Sequence, residues 1–313
     1  MNKQITIIYH RVDYDGLFSA MICKYFFDIN YPTEISINNI GYTYSDPLPD
    51  ISQLKRISDK LIMVDISFPP DYMLNLINTF GKENIIWIDH HITAIRESIK
   101  YGYDYLIGQR DSECKVGACE LTWKWFFEGM ETPKIIQLLS AYDVWDKTRF
   151  SWDNEVLPCQ NGLRAIFGMN LESISHNYNQ ILSDGFLETQ ILPGGRMIKS
   201  FLSMKWKAQV KNSSFEITVA GKYRGIALLT PDFTSAMFES VLDKGYQVFC
   251  ICNMRKDSEM FSVSLYSEPD GRLGDFELGE YMKQNYSGGG HKTAAGGKLT
   301  KEQFEKLIYN KEI

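Results

Sequence analysis

Through the first half of the chain, apolar runs rich in Ile and Val alternate with stretches of helical periodicity. Residues 5–9, 34–39, 60–65 and 85–89 read as strands, and 17–27, 71–80, 117–128 and 133–142 as helices. Strands that are apolar without alternation, separated by helices, predict a parallel sheet covered on both faces. From 152 to 213 the pattern is mostly helical, with a break expected at Pro193-Gly194-Gly195 and a connecting helix over 196–211. Beyond 215 the strands shorten, at 215–220, 226–229, 248–253 and 261–266, with helices near 234–243, 276–285 and 301–310. The pattern therefore predicts an α/β chain with a larger unit over 1–190, a linker over 191–213 and a smaller α/β unit over 214–313.

Composition narrows the class. A chain of 313 residues exceeds the length at which one core usually stops growing, and 44% hydrophobic with 23% charged residues is ordinary for a globular protein. No run approaches the length of a membrane span, and the opening apolar stretch is interrupted too soon for a signal peptide, so no membrane partner is expected. The six cysteines, at 23, 114, 119, 159, 250 and 252, lack C-x-x-C spacing, which argues against a disulfide framework or a zinc knot and suits a reducing cytoplasm. Cys250 and Cys252 sit in an apolar run and read as buried, inert thiols. A net charge of −6 counts against coating long duplex DNA and leaves short nucleic acid open.

Candidate chemistry gathers where the predicted strands end. His10, Asp65 and Asp89 fall at or just after strand C-termini, where open α/β sheets place their ligands. His10 opens His10-Arg11-Val12-Asp13-Tyr14-Asp15-Gly16, whose Asp13 and Asp15 present two carboxylates together and whose Gly16 eases the turn into the next helix. Alone, Asp13 or Asp65 reads equally well as a helix cap. Asp89-His90-His91 has fewer structural explanations, because paired imidazoles are costly to bury. A fourth acid lies in Ser140-Ala141-Tyr142-Asp143-Val144-Trp145-Asp146, where periodicity does not choose between Asp143 and Asp146. Oxygen and imidazole donors without thiolate suit Mn²⁺, Mg²⁺ or a mixed pair. Two such ions about 3.5–4 Å apart would hold a phosphate, lower the pKa of a water and stabilise a leaving oxygen, which is phosphate-ester hydrolysis. Far downstream, Gly288-Gly289-Gly290-His291-Lys292 is expected to form a nest of backbone N–H groups with two charged donors beside it. Of five histidines only His176 falls outside these motifs.

This set resembles the DHH phosphoesterase superfamily in its DHHA1 branch, which includes the RecJ exonucleases and the nanoRNA and 3′-phosphoadenosine-5′-phosphate (pAp) phosphatases. Asp89-His90-His91 matches the name-giving motif, His10 with Asp13-Tyr14-Asp15-Gly16 the first, Asp65 the second and Asp143 the fourth. Gly288-Gly289-Gly290-His291 with Ala294-Ala295-Gly296 matches the C-terminal substrate motif. The resemblance implies a parallel-sheet DHH domain joined by a helical linker to a smaller α/β DHHA1 domain. It implies two divalent cations, Mn²⁺ first with Mg²⁺ or Co²⁺ as alternatives, one held by His10 and Asp13, the other by Asp15, His90 and Asp143, with Asp65 bridging. It also implies that His91 touches the scissile phosphate and can protonate the leaving oxygen, that Asp89 orients a histidine, and that Gly288, Gly289, Gly290, His291 and Lys292 bind substrate across a cleft from the metals. Two departures stand out: His10 precedes Asp13 by three positions where phosphatase members commonly have four, and Tyr266 stands where nanoRNA enzymes often carry Arg.

The function expected is hydrolysis of short single-stranded RNA or DNA, or of small nucleotides such as pAp or linear dinucleotides, by a chain for which a homodimer is open. A pyrophosphate or polyphosphate hydrolase and a non-catalytic nucleic-acid scaffold are the alternatives. The glycine motif counts against the first, and the complete set of acids and imidazoles against the second.

Overall fold

The structure is a computed structural model that describes residues 2–44, 46–232, 234–254, 259–268, 270–290 and 292–313. It divides into two compact units, Met1–Lys199 and Ser200–Ile313.

The first unit is built on four parallel strands, β1 (Lys3–His10), β2 (Ile35–Tyr42), β3 (Lys60–Val64) and β4 (Ile85–Ile88), in the order β2-β1-β3-β4. Alternate residues of β1, β3 and β4 enter two cores. Ile5, Ile7, Ile62, Val64, Ile86 and Ile88 pack on one face with helices α1 (Tyr14–Asn30), α5 (Ala118–Phe126) and α6 (Lys134–Asp143). Ile8, Leu61, Met63, Ile85 and Trp87 pack on the other with α3 (Pro70–Phe80). Burial of both faces is why these strands read as unbroken apolar runs.

Two helices escape the hydrophobic pattern because they are short and mostly solvated. One is α2 (Ile51–Ile57), capped by Asp50, whose carboxylate accepts from the Ser52 and Gln53 amides; the other is α4 (Ile92–Tyr101), which starts directly after His91. Helix α7 (Leu157–Phe167) and the short α8 (Leu171–His176), α9 (Tyr178–Ile181) and α10 (Asp184–Phe186) follow. The break expected at Pro193-Gly194-Gly195 is absent: α11 runs unbroken over Leu192–Ser213. Pro193 comes just after a π-helical turn over Leu187–Ile191, so the missing N–H falls where the regular α-helical ladder is already interrupted. Gly195 serves close packing, since a Cβ there would lie 1.8 Å from the Pro158 carbonyl oxygen. No described helix is long and apolar enough to cross a membrane.

The second unit is a mixed sheet of β5 (Phe215–Val219), β6 (Tyr223–Leu229), β7 (Val248–Met254), β8 (Phe261–Tyr266), β9 (Gly289–Gly290) and β10 (Ala294–Leu299), in the order β5-β6-β7-β8-β10-β9. Only β6 and β7 run parallel to each other; the remaining neighbours are antiparallel. Helices α12 (Leu278–Asn285) and α13 (Lys301–Glu305) and a 3-10 segment, Ser235–Lys244, accompany the sheet. Cys250 and Cys252 are buried in β7, and burial pushes both thiols up.

Candidate metal centre

The strand order reverses between β1 and β3, and the crevice at their C-terminal ends is where such a sheet opens. His10 is the last residue of β1. Asp65 follows β3 directly with φ +56°, in the left-handed region that few non-glycine residues adopt, and is only 2% exposed. Its amide donates to the Ile88 carbonyl at 3.0 Å, which ties this turn to the end of β4.

The chain between His10 and α1 is compact. Asp13 caps the helix, its Oδ1 accepting from the Gly16 amide at 3.0 Å. A Cβ on Gly16 would stand 2.0 Å from the His10 carbonyl oxygen, so only glycine lets the first turn lie on the strand end. Close approach, not an unusual φ, explains this glycine. Asp15, fully buried, accepts from the Ala118 amide at 2.6 Å and the Cys119 amide at 2.9 Å. Those are two of the unpaired N–H groups at the start of α5, and they hold one carboxylate of the D-x-D pair in place.

Asp89 is wholly buried and saturated. Its Oδ1 accepts from the His90 and His91 amides at 2.8 and 3.1 Å and meets His91 Nδ1 at 2.7 Å, while Trp87 Nε1 donates to Oδ2 at 3.2 Å. Asp89 therefore fixes the turn that sends His90 and His91 toward Asp65, and it orients the His91 ring.

The side chains converge. His10 Nδ1 is 2.8 Å from Asp13 and 3.5 Å from Asp65. His90 Nε2 is 3.4 Å from Asp65, 3.2 Å from Asp143 and 3.7 Å from Asp15, and His91 Nδ1 is 3.8 Å from Asp65. Three trios each offer donor atoms within 4.8 Å of one another: His10, Asp13 and Asp65; Asp15, His90 and Asp143; Asp65, His90 and His91. Asp65 and His90 each belong to two of them.

This arrangement suits a cation. A single N–H on His90 Nε2 cannot satisfy three carboxylates at once, yet spacings of this size match the edges of an octahedral shell, about 3 Å for ligands about 2.1 Å from a small divalent ion. Among the described residues, no lysine or arginine forms an ion pair with Asp13, Asp15, Asp65, Asp89 or Asp143. Without a cation the charges are in conflict. Burial, then the Asp65 charge, pushes Asp15 up to about 6, and burial with the Asp15 and Asp65 charges raises Asp143. Burial opposes ionisation of Asp65 too, but hydrogen bonds from His10 and His90 outweigh it and hold Asp65 at about 2. Against the same desolvation, Asp13 and Asp65 lift His10 to about 10, and carboxylate contacts raise His90 and His91. A carboxylate and imidazole set of this kind, without thiolate in the trios, is the donor mix of Mn²⁺ or Mg²⁺.

The structure separates Asp143 from its rival. Helix α6 ends in a Schellman turn, with the Trp145 amide on the Tyr142 carbonyl at 3.2 Å and the Asp146 amide on the Ala141 carbonyl at 2.8 Å. That turn leaves Asp143 beside His90, while Asp146 accepts from the Thr148 amide and hydroxyl instead. His176 stays outside the cluster, bonded to the Glu172 carbonyl. In the second unit the glycines are not an open nest. Gly289 and Gly290 form β9 against Ala295 and Gly296, and Gly288 abuts the Gly296 carbonyl, where a Cβ would stand 2.0 Å away. Local composition suggested a loop, but this edge pairing is non-local. The Lys292 carbonyl accepts from the Leu278 amide, and His291 lies outside the described residues.

Three neighbours carried no sequence signal. Cys114 Sγ lies 3.7 Å from His90 Nδ1. The Ser140 hydroxyl accepts from the Gly117 amide at the start of α5. The exposed Tyr44 ring lies 5.7 Å from that of His10 and 6.2 Å from that of His91, between centroids. Cys114 and Tyr44 are brought in by topology from segments with no motif of their own, and Ser140 comes from the fourth motif, where only its acids stood out.

No family model matches the chain. An uncharacterised protein, R106 of Acanthamoeba polyphaga mimivirus, is 31% identical over 144 residues, 44% of this chain; the match spans 33% of the viral protein, about a third of its length. The DHH domain of PF0399, a member of the S1p family of ribosomal proteins, superposes with a TM-score of 0.60 at 12% identity, covering 98% of this chain and 85% of that one. A pGpG-specific phosphodiesterase of Vibrio cholerae, PggH, superposes with a TM-score of 0.55 at 13% identity, covering 99% and 97%. At these identities the likeness is one of fold: the chain has the α/β fold of DHH-domain proteins, a parallel four-stranded sheet followed by a mixed one.

Proposed function

We propose that the chain is a two-cation phosphoesterase that hydrolyses short single-stranded oligonucleotides or small nucleotides. The observation that carries this reading is the set of three overlapping trios joined through Asp65 and His90. In it, His10, Asp13 and Asp65 would hold one divalent cation, and Asp15, His90 and Asp143, with Asp65 beside them, would hold the second, with Mn²⁺ as the first choice on donor chemistry and Mg²⁺ or Co²⁺ as alternatives. When bound, such a pair supplies Lewis acidity to phosphate oxygens.

The protein's own groups do the rest. Asp89 grips His91 Nδ1, which favours the protonated ring and leaves Nε2 to contact the scissile phosphate and hand a proton to the leaving oxygen. Asp15 is held by the α5 amides, so its position does not depend on the cation. Gly288, Gly289, Gly290 and Lys292, with His291, would bind nucleotide phosphate or sugar from the edge strand β9 rather than from an open nest. The net charge of −6 favours short substrates over long ones, and PggH, of similar fold, is by its name a phosphodiesterase specific for a dinucleotide.

The test is to strip the protein of metal, restore Mn²⁺ and offer end-labelled RNAs of graded length beside pAp, a linear dinucleotide and pyrophosphate. Release of mononucleotide or phosphate from the nucleotide substrates, abolished in His90→Ala while circular dichroism stays native, is the expected result. No release from any substrate would sink the reading, and release from pyrophosphate alone would replace it with phosphoanhydride hydrolysis.

A further inference from the structure

Helix α6 ends beside the cluster on an unusual residue. The αL position that closes a Schellman turn is normally glycine, because a Cβ there costs roughly 1 kcal/mol. Here it is Trp145, with φ +58°, and this large apolar ring is 45% exposed. A strained, exposed indole two positions from a cluster carboxylate requires a reason.

The ring is buttressed from below. Tyr142 and Trp152 stack with centroids 5.7 Å apart and planes 8° apart, and Trp145 meets Trp152 edge-on at 4.8 Å. The Lys147 ammonium lies 5.0 Å from the Trp145 ring and 5.5 Å from that of Trp152. Three aromatic rings and a cation thus form a rigid shelf whose outer member is open to solvent. Apart from Tyr142 and Trp152 the ring keeps an open side, and the polar Asp146 stands where a Schellman turn usually places an apolar contact.

We infer that Trp145, steadied by Trp152, Tyr142 and Lys147, is a stacking site for the nucleobase of the nucleotide whose phosphate the adjacent cluster holds. Indole offers every base a π-face, so the site selects nucleotides over inorganic phosphoanhydrides without choosing a sequence. Lys147 adds a positive charge for the ribose-phosphate backbone. This rests on the phosphoesterase reading for its phosphate anchor and narrows the substrate class to one that carries a base beside the reacting phosphate.

Calorimetry on the full chain with Mn²⁺ measures affinity for AMP and for ribose 5-phosphate, which share sugar and phosphate and differ in the base. The expected preference for AMP is about tenfold or more, from the known worth of base–aromatic stacking. In Trp145→Ala that preference collapses to about one, whereas Trp145→Phe keeps most of it. Trp145→Gly loses the preference but not the melting temperature, because glycine suits the turn; a purely structural tryptophan would show the reverse. A wild-type ratio near one, or variants that weaken both ligands equally while lowering the melting temperature, overturns the subsite. Phosphate release from pAp is followed in parallel. A chain that hydrolyses pAp without any base preference refutes the stacking site alone, and one that binds neither ligand and hydrolyses nothing refutes both readings.

Discussion

Asp65→Asn is the sharpest probe of the cluster. Its carboxylate lies 3.5 Å from His10, 3.4 Å from His90 and 3.8 Å from His91, and it belongs to two of the three donor trios. Asparagine tolerates the φ of +56° at this position, so the backbone turn survives the exchange. A cation that binds only the folded state at a hundred times its dissociation constant stabilises that state by about 2.7 kcal/mol. For a unit of this size that corresponds to a rise of roughly 5–10 °C in melting temperature. If losing the shared carboxylate weakens binding a hundredfold, the same Mn²⁺ concentration yields only about 0.4 kcal/mol, a shift of roughly 1–2 °C. Thermal melts with and without Mn²⁺ read this directly, each variant against its own metal-free state, so any change in baseline stability cancels. Asp146→Asn is the control: it gives up only a turn cap on Thr148 and keeps the full shift. A wild-type protein without a shift, or an Asp65→Asn protein with the wild-type shift, refutes the assignment.

Two other perturbations separate scaffold from site. Gly16→Ala places a Cβ 2.0 Å from the His10 carbonyl oxygen, a backbone clash expected to cost about 3 kcal/mol and to shrink the Mn²⁺ shift as well; an unchanged melting temperature would contradict the close approach. Glu120 is buried and paired with Arg149 and Lys124. Burial acts to raise its carboxyl, but those partners outweigh it and hold it below the usual carboxylate range. Its folded pKa is therefore below its unfolded value of about 4.3, so its contribution to stability is present above that pH and lost as pH falls through the folded value. Urea midpoints measured against pH should fall less steeply below about pH 4.5 in Glu120→Gln than in the wild type; parallel curves would remove Glu120 from the acid response.

Much of the candidate site was legible in advance because its signals are local. A carboxylate or imidazole closing an apolar strand is visible in a short window, and His10, Asp65 and Asp89-His90-His91 all announce themselves that way. Strand order added what a window cannot contain: β1 and β3 lie side by side at the reversal, so their ends face one crevice. The three-residue spacing from His10 to Asp13 brings Nδ1 to 2.8 Å from the acid.

Hydrophobic periodicity by itself determined the two α/β units and the doubly buried parallel strands, because burial on both faces leaves no polar alternation to find. Tertiary structure alone decided what the glycines do and who the partners are. Gly16, Gly195 and Gly288 read as turns, a break and a nest, yet each sits where another residue's carbonyl leaves no room for a Cβ, six and eight positions away for Gly16 and Gly288 and on a separate helix for Gly195, a close approach that composition cannot register. The same holds for Asp143 over Asp146. Periodicity treats them alike, and only the left-handed turn at Trp145 places one against His90 and sends the other to cap Thr148.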